Sequence, residues 1–463
     1  MSGLASRRRR WRRLGRVFIM RMLTVAAGVA LVLQAANTGA QPAAVAPTPT
    51  YTEHVAPILQ QRCGGCHRPD GIGPMALHTY QDARRHAFII KSRVEQRVMP
   101  PWHLDRTVGI QEYKNDISLT DDQIATITRW VDAGAPEGDP ALVPAPVEWS
   151  VGGEWTLAEQ LGRPPDFVVR SAPYTVKPNA QDQWWTPSLP FEGLDGPRWV
   201  RASEFKPAYP QGTKVVHHGH AQLVQELPDG SRRLRALGRY GVGKPGDIFP
   251  DDVGMKIEPG GTVSWNLHYY PIDVEVPNDV VEVGLWFYPK GDEPQLETQG
   301  EVRFTVDQGG NMPWAGDIVI PPHSLKAQQG IHVLDRAALV HSFRPHMHMR
   351  GKEQSVEAIY PDGRREMLAK VDRYSHIWQI SYLFADHVKP LLPVGTTLLF
   401  TSLWDNTAAN PLNPDPDQWV VFGQRGVDEM SHVWLGMTYL TEEQYDEQVF
   451  ARGRPERTEG GGE

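Results

Sequence analysis

Apolar and polar positions divide the chain into two textures. Over residues 51–140 apolar side chains recur at helical spacing, in "YTEHVAPILQQRC" and again in "TYQDARRHAFIIKSRVEQRV". "SLTDDQIATITRWVDAG" reads as a capped helix: Thr120 is the N-cap, acids fill the first turn and Gly134 ends it. From about 165 to 450 short β-branched and aromatic runs alternate with clusters of Gly, Pro, Asn and Asp, as in "TKVVHHGHAQLVQEL", "GTVSWNLHYYPI" and "TTLLFTSLWDN". That texture predicts antiparallel β-sandwiches, and its length suits two of them better than one. The expected fold is multidomain: a small all-α domain over 51–140, a Pro-rich linker over 141–164, and two antiparallel, jelly-roll-like β-sandwich domains over 165–290 and 291–450. The divide falls near Gly291–Gly300, and the tail "ARGRPERTEGGGE" (451–463) is expected to be disordered.

Composition adds a leader and removes a class of partners. Residues 1–40 run from a basic stretch, "RRRRWRRLGR", through the twelve-residue apolar run Met22–Leu33 to the small residues "AANTGA". This is the layout of a secretory signal peptide, too short in its apolar part for a comfortable membrane span. An uncleaved N-terminal anchor is the alternative, and Met20 is a second plausible start. A Pro/Ala linker, "QPAAVAPTPT" (41–50), follows. Losing the leader's eight arginines takes the formal charge from −8 to −16. So acidic a protein is a poor partner for nucleic acid or anionic membrane. The expected location is periplasmic or secreted. The chain holds two cysteines, Cys63 and Cys66, too close together to staple a domain.

Those cysteines open "CGGCH" (63–67), the C-x-x-C-H signature of covalent c-type haem attachment, with His67 as the proximal iron ligand. Attachment of this kind acts on an unfolded, exported chain. Met99 in "RVMPPWH" is the candidate distal ligand, because a thioether raises the haem potential as an electron carrier needs. Met75 and His103 compete for that role. "YTEHVAPILQQRCGGCH", "MPPWH" and "SLTDDQIATITRWVDAGAPEGDP" together are similar to many bacterial cytochrome c domains.

Nine of the 17 histidines lie between 217 and 348. "RPHMHMRG" sets His346 and His348 at i and i+2, on one face of a strand. "VVHHGH" supplies His217, His218 and His220, "WNLHYY" supplies His268, and "VDEMSHVW" supplies Met430. These make two carboxylate-free sets: three imidazoles, and two imidazoles with a thioether. Such donors suit copper cycling between Cu(I) and Cu(II) and argue against Mg, Ca or Mn. Zinc accepts three histidines but has little use for the methionine. Adjacent His217 and His218 point to opposite faces of a regular strand, so a shared ion requires a bulge there. His218 with His220 needs none, which keeps His220 a competitor. Met347 and Met349 are either further soft ligands or core residues on the opposite face.

In "VVHHGHAQL", "NLHYYP", "RPHMHMRGK" and "DEMSHVW", in that order, the chain resembles the type II copper, ascorbate-dependent monooxygenases, the family of peptidylglycine α-hydroxylating and dopamine β-monooxygenases. The likeness spans roughly 165–445. It implies two β-sandwiches with one copper each: an electron-transfer copper on His217, His218 and His268, and an O₂-binding copper on His346, His348 and Met430. The disulfides of the animal enzymes are missing here. The implied activity is O₂-dependent C–H hydroxylation of a small-molecule or peptide-like substrate, with an ascorbate-like reductant or redox protein as donor; the fused cytochrome-like domain adds the expectation that haem delivers electrons to the His217/His218/His268 copper, replacing or supplementing ascorbate. Two other readings stand beside it. One is a periplasmic electron-transfer or copper-handling haem protein without oxygenase activity; the other is a substrate-binding β module with a haem sensor domain and no copper.

Overall fold

A computed structural model describes residues 47–453, apart from 70, 72, 146, 148–153, 227–228, 242–243, 245, 307–317 and 379. The leader over 1–40, most of the linker over 41–50 and residues 454–463 of the tail lie outside the described residues. Among the described residues no helix is long and apolar enough to cross a membrane.

The N-terminal part is helical and short. A single π-helical turn, Tyr51–Val55, runs into Ala56–Arg62, and Tyr80–Arg85, Ala87–Glu95 and Asp121–Asp132 follow. Thr120 caps the last helix: its hydroxyl accepts the Gln123 N–H while the Gln123 side chain accepts the Thr120 N–H. These helices pack on one another through Val55, Leu59, Ile90, Ile127 and Trp130. The run expected to continue through residues 79–98 is two helices, broken at His86, which serves as cap to both. Residues 97–119 are not helical. They lie along the C-terminal β half, where Asp105 and Ile110 N–H groups donate to the Lys370 and Leu368 carbonyls. Trp102 and Leu104 are buried in that half's core.

The rest of the chain is mostly β. A ten-stranded sheet takes in Phe167–Arg170, Val281–Phe287, Arg198–Pro207 and Val253–Ile257, then Leu296–Thr305, His432–Leu440, Ala337–His346 and Tyr382–Leu383. Facing its first part is a five-stranded sheet built on Thr262–Tyr269, Val216–Glu226 and Arg232–Gly241. With its second part a four-stranded sheet of Leu325–Val333, Thr397–Asp405, Gly351–Ile359 and Arg365–Val371 encloses a separate core. Two apolar cores therefore exist, one in each half. The halves are not independent sandwiches, however. Leu296 and Glu297 pair in parallel with Val253 and Gly254, so one sheet runs through both.

Two boundaries differ from the expectation. The Pro-rich stretch over 141–164 holds a helix, Thr156–Leu161, with Leu157 packed against Ala202 and Trp286. The Glu204 carboxylate accepts the Thr156 and Leu157 N–H groups at 2.9 and 2.8 Å and so holds that helix to the sheet. At the other end Ala451–Gly453 belong to the helix Glu442–Gly453 rather than to a disordered tail. Six- and twelve-residue helices with few apolar positions give little periodic signal.

A partly buried carboxylate joins the halves. Glu301, in the second, is ion-paired with Arg344 at 2.9 Å and with Arg239, in the first, at 2.5 Å. Arg239 also stacks over Trp434, 3.5 Å from the ring centre. Burial pushes the Glu301 carboxyl up, but Arg344 and Arg239 outweigh it and hold its pKa down to about 2. Replacing Glu301 by Gln leaves two buried cations unneutralised and should destabilise the protein by about 3 kcal/mol in denaturant unfolding at pH 7. Because the folded-state pKa lies below the ordinary carboxylate value, the wild-type advantage is complete at neutral pH. It shrinks as pH falls from the ordinary carboxyl pKa toward about 2.

Candidate metal centres

His217, His218 and His268 converge from two paired strands. His268 sits opposite His218, and the next pair is Tyr269 with Val216, so His217 is an extra residue in its strand. The bulge swings His217 onto the face that His218 and His268 share. The three Nδ1 atoms lie 3.2, 3.3 and 3.4 Å apart. A ring nitrogen has one in-plane direction, occupied by a hydrogen or by a lone pair, so three such atoms cannot satisfy one another pairwise. Their common centre is about 1.9 Å from each, close to the 2.0–2.1 Å of a metal–imidazole bond. This trio is able to hold a metal ion.

The outer nitrogens have polar neighbours that favour that arrangement. The Ile377 backbone lies near the His217 ring and slightly offsets the lowering of its pKa. Asp182 lies 3.2 Å from His268 Nε2, off the line of a good hydrogen bond. Trp184 stacks flat on His268, ring centres 4.2 Å apart. An acceptor beyond the ring fixes its tautomer and turns the lone pair inward. Burial first, then the neighbouring rings, lower the pKa of His217 and of His268 to about 4 and of His218 well below the usual histidine value. All three are neutral at pH 7, as ligation requires. His220 does not join them. Burial, then Arg239, Arg344 and Arg303, lower its pKa to about 3 against the opposing charge of Glu301.

His346 and His348 lie at the edge of the second half. Only His346 is in a strand, which ends there; His348 sits just beyond it. The expected one-face strand pair is therefore replaced by a strand end and a turn. The two rings are 5.5 Å apart and nearly perpendicular. His348 donates from Nδ1 to the Asp428 carbonyl at 3.1 Å, which leaves Nε2 for a ligand. Its pKa is lowered to about 4, chiefly by burial. That hydrogen bond also brings it to the segment of Met430, which is buried. His432 pairs with His346 across the sheet and stacks on it at 5.7 Å. His341 bonds Thr438. Met347 is fully buried in the core, whereas Met349 is half-buried and outside it.

A frame of buried polar groups holds this segment. The Tyr374 hydroxyl accepts the Met347 N–H and donates to the Met347 carbonyl, at 2.9 and 2.7 Å. Glu429 accepts the N–H groups of His348 and Arg350 at 3.0 and 2.6 Å, and burial raises its pKa to about 8. Gln354 accepts the His346 N–H at 3.0 Å and donates to Ser402 and Ser431, at 2.9 Å each. Of these groups only Glu429 and Ser431 fall in a sequence motif. The others are distant in sequence and carry no spacing signal.

The two groups of histidines are neighbours. The His218 and His346 rings are 6.1 Å apart, centre to centre, across the junction of the halves.

Cys63, Cys66, His67, Met75 and Met99 line one cavity of about 550 Å³. His67 donates from Nδ1 to the Met75 carbonyl at 2.9 Å. His103 does not line the cavity; it is buried, and its N–H donates to the Tyr382 hydroxyl. The far wall comes from the β halves, with Lys244, Trp378, Ile380 and Ser381.

Replacing Gln354 by Leu removes the acceptor of the His346 N–H and the amide donor shared by Ser402 and Ser431. In a copper titration the His346/His348 group should bind about 10–100-fold more weakly, as lost supporting hydrogen bonds do elsewhere, with the trio's affinity unchanged.

No protein-family model matches the chain, and no curated protein matches it. Among solved structures it is similar to a recombinant N-glycanase F (PNGase F), at 11% identity and TM-score 0.26, over 59% of this chain and 100% of that one. PNGase F, a glycosylasparaginase from Flavobacterium meningosepticum, aligns at 11% identity and TM-score 0.26, over 58% of this chain and 96% of that one. PNGF-II aligns at 9% identity and TM-score 0.24, over 58% of this chain and 65% of that one.

Proposed function

We propose that this chain is a haem- and copper-containing oxidoreductase that uses O₂ to hydroxylate a C–H bond of a small-molecule or peptide-like substrate. The observation that carries the reading is the trio of converged Nδ1 atoms, with the His346 ring 6.1 Å from His218.

The residues fit the groups this reading needs. The cavity volume lies within the roughly 300–1,000 Å³ of cofactor pockets, and its lining pairs both thiols with His67 and Met99. The Met75 carbonyl takes the His67 Nδ1–H, so Nε2 is turned toward a ligand. Haem bound there supplies one-electron redox chemistry. His217, His218 and His268 present three neutral nitrogens at bonding radius and no carboxylate, a set suited to copper in an electron-transfer role. His346, His348 and Met430 supply two imidazoles and a thioether and leave positions open; copper there supplies the chemistry that engages O₂. Around that group Tyr374, Gln354 and Glu429 fix the backbone, so its geometry is set before any substrate arrives.

Export to the periplasm, and an ascorbate-like reductant or redox protein as outside donor, belong to the same proposal. The motifs from "VVHHGHAQL" to "DEMSHVW" support it.

The test is metal stoichiometry followed by O₂ uptake. The loaded full chain should hold two coppers per haem. His218→Ala and His348→Ala should each lose one copper, with haem retained. His348→Ala should also lower substrate-dependent O₂ consumption by about a hundredfold or more. Copper-free protein after loading, or full copper with no O₂ uptake by the reduced protein across candidate substrates, would sink the oxygenase reading.

A further inference from the structure

One short edge strand bounds the trio on its outer side. Gln183–Trp185 lies at the end of the five-stranded sheet, paired with Thr262–Tyr269. Trp184 stands directly opposite His268, and His218 stands opposite His268 on the other side. Residues paired in this way share a sheet face, so one row across three strands reads Trp184, His268, His218. The indole lies within 4° of parallel to the His268 imidazole, ring centres 4.2 Å apart, and meets His218 edge-on at 5.5 Å. Asp182, the residue before the strand, brings a carboxylate oxygen to 3.2 Å from His268 Nε2, the ring nitrogen that the trio does not use.

Strand alternation holds this segment in register. Trp185 turns to the opposite face and packs on the core of the first half. There it stacks on Tyr174 at 5.2 Å, and Tyr174 stacks on Tyr269 at 5.1 Å. Tyr269 follows His268 in its strand, so the contact that anchors Trp185 also sets Trp184 on the imidazole. A slip of one residue would carry Trp184 to the wrong face.

We propose that Asp182 and Trp184 clamp His268 and lower the reduction potential of a copper ion held by the trio, so that the trio gives up its electron to the His346/His348/Met430 group. The proposal rests on the reading of the trio as a copper site. Two effects act in the same direction. A carboxylate beside the outer nitrogen of a ligating imidazole adds negative charge near the ion and makes the ring a stronger donor. The face of an indole is the negative side of its charge distribution, so it stabilises a ligand ring that shares the charge of its metal. Both gains are larger for Cu(II) than for Cu(I), because the attraction grows with the charge on the ion. At the second group the corresponding neighbour of His348 is an uncharged carbonyl, from Asp428, whose carboxylate is paired with Arg425. The Met430 thioether there favours Cu(I). One electron therefore runs downhill: the trio's ion goes from Cu(I) to Cu(II), the second group's from Cu(II) to Cu(I), and no proton need move.

The experiment measures the Cu(I) and Cu(II) affinities of the trio separately, by competition with bicinchoninate and with nitrilotriacetate. The protein is the full haem-loaded chain carrying His348→Ala, which keeps the trio as its copper site, and the ratio of the two affinities gives the potential. In that background Asp182→Asn should weaken Cu(II) binding about tenfold more than Cu(I) binding, a rise of about 59 mV. Trp184→Leu should shift the ratio the same way by about threefold, whereas Trp184→Phe, which keeps a ring over His268, should stay within about twofold of the parent. Equal loss of both affinities in Asp182→Asn and Trp184→Leu, or no change in either, would overturn the clamp while leaving the trio a copper site. A parent protein whose trio binds neither oxidation state overturns the copper reading itself.

Discussion

Two adjacent histidines on a regular strand point to opposite faces, and everything at the first centre depends on breaking that rule. The break is one extra residue. His268 pairs with His218 and Tyr269 with Val216, which leaves His217 unpaired and turned to the same side as its neighbour. Three Nδ1 atoms then meet within 3.4 Å, a contact that neutral rings do not hold for its own sake. The cost of crowding buried imidazoles is offset when a cation occupies their centre, and the depressed pKa values keep the lone pairs available for it.

The second group obeys a different constraint. Its histidines stand where a strand ends, so the sheet cannot position both of them. Buried hydrogen bonds from Tyr374, Gln354 and Glu429 take over that task, each acting on backbone atoms rather than on the rings. The rings keep their nitrogens for other work. What sets the distance between the groups is the junction of the halves, where one sheet continues through the parallel pairing at Leu296–Glu297 and Glu301 binds an arginine from each side. A carboxylate between two buried guanidiniums is costly to separate, so the 6.1 Å approach of His218 to His346 is held by groups that touch neither ring.

The helical part is attached by the same kind of bond. Residues 97–119 give up helix and lie along the strand Arg365–Val371, exchanging backbone hydrogen bonds and burying Trp102 and Leu104 in a core that is otherwise β. The cavity around Cys63 and Cys66 gains its far wall from this docking.

The sequence by itself determined what is encoded over short stretches of chain. The capped helix at Thr120 was legible because its cap and its partner Gln123 are three residues apart. The change from helical to β texture was legible because side-chain periodicity is a local property. So was the need for a bulge if His217 and His218 were to act together. Missed were the helices Thr156–Leu161 and Ala451–Gly453's end of Glu442–Gly453, too short or too polar to carry a period. The tertiary structure alone decided that His217 and not His220 joins His218 and His268, and that Gln354 and Tyr374 brace the second group. It alone brought that group beside the first and set Trp378 against the cavity. These contacts join residues far apart along the chain. Strand register, one bulge and the packing of two cores set such distances, and no spacing along the sequence specifies them.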